Sequence, residues 1–495
     1  MQKTAINTVK TGDSVPTKDY DELLLKYDEL IQKYEFLKHR FDQINRTVFG
    51  KKSEKFITPD GIQLNLFNVD NQGPKEQATE EIKYNRKKRS KGNKKPSRTI
   101  IPAHLPRVIE IIEPKIEPGM VKIGEEITES LEYNPARIFV RRIIRPKYKY
   151  LDKFVIAPMP SVPIPKGKAG ASLLAYVMVS KFIDHLPFYR QIQMFKRFDL
   201  VLSDSTISGW FNKTTDLLEP LYECLIKQML SCDYLQADET PIGVMDSTKK
   251  GSLHHGFHWV YRSPLKKMVM FKYSQGRARK APEGVLLDFT GTLQTDGYAA
   301  YTNMKTNGDI NLLACMTHAR RKFDAAKDNN KKLAEKFLSL FQSLYRIERD
   351  CLQEKKSFDI RFKYRQLYAK PILVEIEELL RSNLNNTLPK SPIGKAISYT
   401  LNLWPRLSAY INDGRFEIDN NQIENTIRPL AIGRKNYMFA GSHKAAQRAA
   451  MMYSFFATCK INNIEPHSWL ADILNRISEH KANKLSELLP QNWKK

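Results

Sequence analysis

Residues 418–429 read IDNNQIENTIRP, and the prediction for the rest of the chain is organised around this segment. Asp419 is a favourable N-cap residue. Ile423 and Ile427 lie four positions apart and therefore fall on one face of a helix. The pattern predicts a helix that is capped by Asp419, buries its isoleucine face and carries Glu424 in its first turns. A single glutamate on a helix is usually a solvated surface residue, so a functional role for Glu424 needs further support.

Two aspartates elsewhere in the chain supply that support. Asp238 and Asp296 each follow an apolar, strand-like run, and the formal net charge is +26. Taken singly, each aspartate is an ordinary turn or cap residue. Three carboxylates on a strongly basic chain indicate a metal site that acts on nucleic acid. Arg428, one helical turn beyond Glu424, would either orient Glu424 or hold a DNA phosphate.

The composition narrows the class of protein. A chain of 495 residues predicts three or more units. The 80 Lys and Arg residues against 54 Asp and Glu indicate a polyanionic partner. A membrane surface is the rival partner, but neither a basic amphipathic helix nor an apolar run of transmembrane length stands out. The five cysteines include no Cys-x-x-Cys pair, and with no evident signal peptide they predict a cytoplasmic protein.

Residues 17–56 predict a coiled coil. One seam position is aromatic and the other aliphatic over four heptads: Tyr20, Tyr27, Tyr34 and Phe41, then Leu23, Leu30, Leu37 and Ile44. Such heptads, with charges between the seam positions, favour paired helices, most simply a homodimer. The alternative is an amphipathic helix packed on its own protein. The aromatic seam leaves a higher oligomer open.

Residues 57–98 are polar and end in the basic run RKKRSKGNKK, which predicts a flexible linker. Lys87, Lys88 and Arg89 are candidates for contacts with DNA phosphates, which would give a salt-dependent affinity without sequence choice. A solvated linker without such contacts is an equally supported alternative.

Two further segments precede the core. Residues 99–165 predict a small β-rich module, because β-branched runs at 107–112 and 138–144 alternate with prolines. Residues 171–230 predict helices, the last of which opens with LSDSTISGW at 202–210. This spacing resembles a helix-turn-helix DNA-binding region, and a plain helical hairpin fits it equally well.

Residues 231–456 change period and predict a mixed α/β core with an all-helical insertion at about 331–411. The predicted strands are 234–237, 257–261, 268–273, 291–295 and 310–314, with helices at 279–287, at 299–304 and after the fifth strand. This order is that of a ribonuclease-H-like fold, in which the first and fourth strands are neighbours. Their adjacent ends would bring Asp238 and Asp296 together.

Basic side chains in and beyond this core are candidates for contact with DNA. They are Arg320, Arg321, Lys322, Arg434 and Lys435. The last two lie in GRKNYMFAGS, residues 433–442, for which a buried strand and turn is the alternative interpretation. Residues 457–495 predict a C-terminal helical region. The predicted fold class is therefore a multidomain α+β protein.

With these motifs in place, the sequence resembles the large transposase of the bacterial insertion-sequence sixty-six family, a DDE transposase. The matching stretches in the core are QADETP (236–241), TDGY (295–298), HARRKF (318–323), NQIEN (421–425), RP (428–429), GRKN (433–436) and FAGS (439–442). Upstream, FGKKSE (49–54) and DHLPFYRQ (184–191) also match.

The resemblance implies that Asp238, Asp296 and Glu424 are a catalytic triad that holds two Mg²⁺ or Mn²⁺ ions. It implies cleavage at the ends of an insertion sequence and strand transfer into target DNA, with helper proteins of the same element left open as partners. It also points to Cys315 and His318, a Cys-x-x-His motif, as structural support of the site. From the residues alone, Cys315 is a buried strand residue and His318 a helix cap.

One departure from the family concerns zinc. Family members usually carry a zinc-binding module between the basic linker and the helical region. Here the corresponding stretches, 112–119 and 147–153, contain neither Cys nor His. Four-coordinate zinc needs such ligands, so this module is predicted to fold without zinc.

Two other functions remain alternatives. A non-catalytic DNA-binding regulator would use the coiled coil and the helix-turn-helix alone. A ribonuclease-H-like nuclease would cut DNA without joining it. Metal-dependent cleavage separates the first alternative from a transposase, and joined products separate the second.

Overall fold

The structure is a computed structural model that describes residues 30, 34, 101–115, 121–134, 137–150, 153–246 and 252–494. Apart from Leu30 and Tyr34, which are helical and exposed, the predicted coiled coil and basic linker lie outside these residues. Lys87, Lys88 and Arg89 therefore lie outside them too. The elements below all belong to the compact unit Thr99–Lys495.

A four-stranded sheet forms the first part of this unit. Its strands are β1 (Arg107–Ile111), β2 (Val121–Asn134), β3 (Arg137–Tyr150) and β4 (Lys153–Ile156). The long strands β2 and β3 are antiparallel, β1 lies parallel to β3, and β4 continues antiparallel from β3. Opposite charges meet across the sheet, as where Arg142 pairs with Glu129 at 2.8 Å. The β-strands predicted for this segment are confirmed.

Three helices follow: α1 (Ala171–Phe182), α2 (Phe188–Lys196) and α3 (Asp204–Leu230). The third begins where the Ser-Asp-Ser-Thr pattern predicts, because Ser203 is the N-cap residue and its side chain accepts the backbone N–H of Thr206 at 3.1 Å. The apolar side chains of all three helices belong to the same hydrophobic core as the second sheet.

The second sheet contains β5 (Tyr234–Met245), β6 (Leu253–Ser263), β7 (Met268–Ser274), β8 (Gly291–Thr295) and β9 (Ile310–Ala314). A short helix, α4 (Lys280–Val285), joins β7 to β8, and a 3₁₀ turn (Ala299–Tyr301) precedes β9. The strand order is β7-β6-β5-β8-β9. Strands β5, β8 and β9 are parallel, whereas β6 is antiparallel to both of its neighbours. The prediction that the first and fourth strands of this core are adjacent is confirmed.

The remaining elements are helical apart from one short strand. They are α5 (Met316–Ala325), α6 (Lys331–Gln353), α7 (Phe358–Tyr364), a π-helical turn (Arg365–Ala369), α8 (Lys370–Leu384), α9 (Pro392–Ser408), a 3₁₀ turn (Ala409–Asn412), α10 (Asn421–Tyr437), β10 (Phe439–Ala440), α11 (His443–Ile461), α12 (Pro466–Arg476) and two 3₁₀ turns (Ala482–Leu488 and Pro490–Asn492). Helices α6 to α9 pack around a second apolar cluster, which also takes side chains from α5 and β9.

Helix α11 covers the edge of the second sheet. Its Ser454 and Thr458 hydroxyls accept the backbone N–H groups of Phe271 and Val269 in β7, at 2.8 and 3.1 Å. Unpaired N–H groups on an edge strand are therefore satisfied by side chains. None of the helices in the described ranges is both long enough and apolar enough to cross a membrane.

Three local predictions are wrong. His318 is not a helix cap, because α5 begins at Met316 with Cys315 in the cap position. Strand β5 does not end at Asp238 but runs on to Met245, because its pairing with β6 continues from Gln236 to Met245. Asp419 is not the N-cap residue, since α10 begins at Asn421 with Asn420 in the cap position. The Asp419 carboxylate accepts the backbone N–H of Asn421 at 3.0 Å, and groups on two other helices also donate to it, as described below.

Candidate active site

Asp238 and Asp296 lie just beyond the point where the pairing of two neighbouring parallel strands, β5 and β8, stops. The last paired residues of β5 and β8 are Gln236 and Gln294. Each aspartate stands two positions beyond its glutamine, so the two share one level of the sheet. Strand pairing thus brings together two carboxylates that are far apart in sequence.

The electrostatics of Asp238 show that the three candidate carboxylates influence one another. Burial above all, and then the negative charges of Glu239, Asp296 and Glu424, raise the pKa of the Asp238 carboxyl to about 8. A hydrogen bond from the backbone N–H of Glu239 to Oδ1, at 2.8 Å, acts in the opposite direction. Like charges held together in a partly buried place favour a cation between them.

Asp296 is also fixed by the turn that it begins. Its Oδ1 accepts the backbone N–H of Tyr298 at 2.8 Å, and its carbonyl oxygen accepts the Tyr399 hydroxyl of α9 at 3.0 Å. Gly297 has φ of +90°, and a Cβ there would lie 2.7 Å from Cδ1 of Leu403. This turn after β8 therefore favours glycine at position 297.

Glu424 reaches the site from α10 and contacts a cation of α5. Arg321 donates from Nη1 to Oε1 and from Nη2 to Oε2 of Glu424, both at 3.3 Å, and Nε2 of His318 lies 3.9 Å from Oε1. Arg428 is exposed and lines a cavity on another side of the helix. The cation that contacts Glu424 in this structure is therefore Arg321, and a direct role for Arg428 stays a prediction.

The Cys-Met-Thr-His segment supports the start of α10. Cys315 is fully buried, and its Sγ accepts the backbone N–H of Asn420 at 3.2 Å. Burial raises the pKa of its thiol to about 12, so it stays protonated at neutral pH. The hydroxyls of Thr317 and Tyr345 donate to Oδ2 of Asp419 at 2.9 Å. The Asp419 carboxylate thereby joins α10 to α5 and α6.

A pair of buried glutamines, Gln236 and Gln294, links the strands to the segment before α10. We call these two residues the glutamine pair. The amide of Gln236 donates to Oε1 of Gln294 at 3.0 Å and to the carbonyl oxygen of Asp419 at 3.1 Å. The amide of Gln294 donates to the carbonyl oxygen of Glu417 at 2.8 Å. Side-chain amides therefore connect all three carboxylate-bearing elements.

The acceptors of the glutamine pair are satisfied as well. Oε1 of Gln294 accepts the Tyr234 hydroxyl at 2.6 Å, and Oε1 of Gln236 accepts Nη1 of Arg262 at 2.9 Å. A second nitrogen of Arg262, Nη2, donates to the side chain of Gln422 in α10. A fully satisfied buried network of this kind rigidifies the core around it.

Sequence reasoning missed the glutamine pair and Arg321 as neighbours of the carboxylates. One signal for the pair was available, because the pattern Gln-x-Asp occurs twice, as QAD at 236–238 and QTD at 294–296. No comparable signal existed for Arg321, whose contact with Glu424 spans 103 positions.

The donor chemistry of the three carboxylates fits a divalent cation. Mg²⁺ prefers hard oxygen ligands, and the raised pKa of Asp238 reflects burial first and then negative charge that a cation would neutralise. In the part of the chain that the structure describes, no three His, Cys, Asp or Glu side chains stand close enough to hold one ion. A shared site would therefore require Glu424 to exchange Arg321 for the metal.

The basic residues predicted to contact DNA have different surroundings. Lys322 is exposed and lies 4.3 Å from the ring centre of Tyr399, and Lys435 is also exposed. Arg434 instead donates to the side chain of Thr240 at 2.8 Å and to the carbonyl oxygen of Pro241 at 2.6 Å. Arg434 therefore ties the end of α10 to β5.

Comparison with protein-family models gives three matches along the chain. Residues 166–448 match the Transposase IS66 family, which covers the second sheet, its insertion and α10. Residues 454–491 match the IS66 C-terminal element. Residues 36–109 match a family described as Transposase C of IS166 homeodomain.

Curated relatives come from Sinorhizobium fredii (strain NBRC 101917 / NGR234). The uncharacterized protein y4jD is 32% identical over 478 residues, which are 91% of this chain and 93% of the relative. The uncharacterized protein y4hP is 29% identical over 496 residues, which are 93% of this chain and 89% of the relative. The similarity thus extends over nearly the full length of both proteins.

Proposed function

The chain belongs to the IS66 transposase family, and we propose that it is a DDE transposase with Asp238, Asp296 and Glu424 as its catalytic triad. It would cleave DNA at the ends of an insertion sequence and transfer the strand into target DNA. The observation that carries the proposal is the meeting of three carboxylate-bearing elements at one end of the second sheet. Strand pairing aligns the two aspartates, and the glutamine pair joins them to the segment that leads to Glu424.

The topology supports a ribonuclease-H-like catalytic core. Three antiparallel strands are followed by two parallel ones, and the first strand lies beside the fourth. In open sheets of this kind, functional groups collect at the carboxyl ends of neighbouring parallel strands. Asp296 directly follows the carboxyl end of β8, and Asp238 stands at the same level inside β5, where β8 no longer pairs with it.

The triad would hold two Mg²⁺ or Mn²⁺ ions, which supply charge neutralisation and polarise the attacking and leaving oxygens of an in-line displacement. The protein's own residues act on geometry. The glutamine pair keeps β5 and β8 in register, and Asp419 anchors the start of α10 through Thr317 and Tyr345. Arg321 donates to Glu424 in this structure, and it would be available to a DNA phosphate if Glu424 were a metal ligand.

DNA is the proposed partner. The net charge of +26 favours a polyanion, and exposed cations near the site, such as Lys322 and Lys435, support contacts with its phosphates. We also propose that residues 17–56 pair two or more protomers, as their heptads indicate.

The experiment that tests this function is a cleavage-and-joining assay on DNA that flanks the gene, with and without Mg²⁺. The full-length protein should produce cut ends and joined products only with the metal. Asp296→Asn should abolish both products, and Asp309→Asn, a matched change at an exposed aspartate before β9, should leave both intact.

Each failure has a distinct meaning. Full activity of Asp296→Asn would refute the triad. Cut ends without joined products would indicate a nuclease, and binding without any metal-dependent cut would indicate a regulator.

A further inference from the structure

A cavity of about 860 Å³ lies beside the helix that carries Glu424. Its walls come from the end of α1, from α10, from α11 and from the segment that leads to α12, with two residues of the second sheet, Arg262 and Phe271. We call this cavity the α10 cleft. Its volume is within the range of pockets that enclose a small organic group.

The inner wall of the α10 cleft is aromatic and aliphatic. Phe182, Tyr453 and Phe456 are buried at its inner end, and the rings of Phe182 and Tyr453 meet edge to face at 5.1 Å. Pro429 and Ile461 continue this apolar surface toward the solvent. Such walls suit a flat, weakly polar group such as a nucleobase.

The polar groups of the α10 cleft are cationic. Arg262, Arg428 and Lys460 line it, and none of its described lining residues is an aspartate or glutamate. Arg428 and Lys460 are exposed and form no ion pair with any described residue. Nδ1 of His185, also a lining residue, is buried without a hydrogen-bond partner among the described groups. The cleft therefore offers positive charge and an unused polar atom to an anionic occupant.

The α10 cleft adjoins the candidate active site through α10 itself. At 100° per residue, Gln422, Asn425 and Pro429 form one face of this helix, and these three line the cleft. Glu424 lies about a third of a turn away, on the face that meets Arg321. Arg428 falls between the two faces, so one DNA strand could pass from the carboxylates to the cleft along Arg428.

We propose that the α10 cleft binds one unpaired nucleotide of the DNA end on which the enzyme acts. The base would lie against the apolar wall, and the phosphate beside it would meet Arg428 and Lys460. This inference rests on the proposed function, because it takes DNA as the substrate. Its consequence is that the protein distinguishes an end with an unpaired nucleotide from a fully paired end.

The test compares the affinity of the full-length protein for two duplexes taken from DNA that flanks the gene. One duplex is fully paired, and the other has its terminal nucleotide unpaired and replaced by 2-aminopurine. Binding is measured by fluorescence anisotropy at fixed salt and without divalent metal, so that it is separate from cleavage. The wild-type protein should prefer the unpaired end about tenfold, the order expected for stacking of one base, and the 2-aminopurine emission should change on binding.

Two variants remove the preference in different ways. Ala457→Trp places a large side chain in the cleft, and Lys460→Glu reverses a charge at an exposed position without disturbing packing. The matched control is Lys444→Glu, the same change at an exposed position near the other end of α11. All charge changes weaken DNA binding in general, so the ratio between the two duplexes is the readout. It should fall toward one in the first two variants and persist in Lys444→Glu.

The outcomes separate this inference from the proposed function. A wild-type ratio of one, or an unchanged ratio in folded Ala457→Trp and in Lys460→Glu, overturns the inference even if the protein cleaves and joins DNA. If Ala457→Trp does not fold, Lys460→Glu decides alone. A clear preference in a protein that never cleaves DNA supports the cleft and refutes the catalytic proposal only.

Discussion

The two aspartates and the glutamate of the candidate site are held in place by different means. Asp238 and Asp296 each stand two positions beyond the last paired residue of β5 and β8. The backbone hydrogen bonds between these strands therefore determine the separation of the two aspartates. The position of Glu424 depends on side-chain hydrogen bonds with the segment just before α10. These bonds involve the glutamine pair, Cys315, Thr317 and Tyr345. We therefore expect that a change within the helical insertion leaves Asp238 and Asp296 in place but displaces Glu424.

We expect the largest effect on stability from Glu348→Ala in α6. The buried Glu348 carboxylate accepts Arg361 at 2.7 Å and Arg365 at 2.8 Å, and Arg361 also reaches Glu417 at 3.1 Å, close to the glutamine pair. Loss of this carboxylate leaves buried cations uncompensated and should cost about 3–5 kcal/mol of unfolding free energy. Hydrogen exchange should show α10 losing protection while β5 and β8 keep theirs.

Glu335→Ala is the control for that measurement, because Glu335 is an exposed residue of the same helix. It should change the unfolding free energy by well under about 1 kcal/mol. Equal loss of protection in β5, β8 and α10 of Glu348→Ala would show that the two halves are not independent.

Gln294→Leu tests the link between the halves. It removes the acceptor of the Tyr234 hydroxyl and the donor to the Glu417 carbonyl oxygen. Buried polar groups left without partners should lower the unfolding free energy by about 2 kcal/mol. Since the glutamine positions carboxylates, kcat for cleavage should fall while the apparent KM for DNA stays unchanged.

An exposed glutamine of α11 provides the comparison for this variant. Gln447→Leu should alter neither kcat nor stability. A Gln294→Leu protein that loses stability but keeps its full kcat would reduce the glutamine pair to a purely structural role.

His258 should make the stability of the sheet that carries Asp238 depend on pH. It is fully buried in β6 opposite Thr240, and burial lowers the pKa of its imidazole to about 3. The unfolded chain takes up this proton near pH 6.5, so stability is complete above that pH and falls as the pH drops toward 3. Between pH 7 and pH 5 the loss should be about 2 kcal/mol. Urea unfolding of His258→Phe should lack this part of the pH dependence, and an unchanged slope would contradict the assignment.

Arg321→Ala should have the smallest effect on stability. Its ion pair with Glu424 is partly exposed and screened by solvent, so the unfolding free energy should change by less than about 1 kcal/mol. The Mg²⁺ concentration that gives half-maximal cleavage should nevertheless fall several-fold, because Glu424 no longer has to leave a cation. Metal titration of Arg321→Ala and of Arg321→Lys, which keeps the charge, checks this. Identical midpoints in both variants and the wild type would contradict the exchange.

Much of the second sheet could be predicted from local patterns. Alternating and continuous apolar runs identified all five strands, and their order placed β5 beside β8. The helical insertion also followed from periodicity, with its breaks before Phe358 and before Pro392. These features depend on neighbours in sequence, so a single sequence contains them.

The rest depended on contacts between distant residues. Asp419 is a good cap by type, and its carboxylate accepts the backbone N–H of Asn421, but it also accepts the hydroxyls of Thr317 and Tyr345 from distant helices. Strand β5 continues through Pro241 because its pairing with β6 runs on to Met245. On its other edge β8 stops beside Gln236 and β10 pairs only with Gly243 and Val244, so Pro241 lies in the gap between them, where proline is tolerated. No local pattern could reveal either arrangement.

We propose that Asp238, Asp296 and Glu424 act as one catalytic unit, although strand pairing positions the two aspartates and side-chain hydrogen bonds position Glu424. The most direct test measures metal-dependent cleavage for Asp238→Asn, Asp296→Asn, Glu424→Gln and the triple variant. Residues that act as a unit give strongly non-additive losses, so each single variant should be about as inactive as the triple. Losses that multiply from the single variants to the triple, or a Glu424→Gln protein with wild-type cleavage, would contradict the claim.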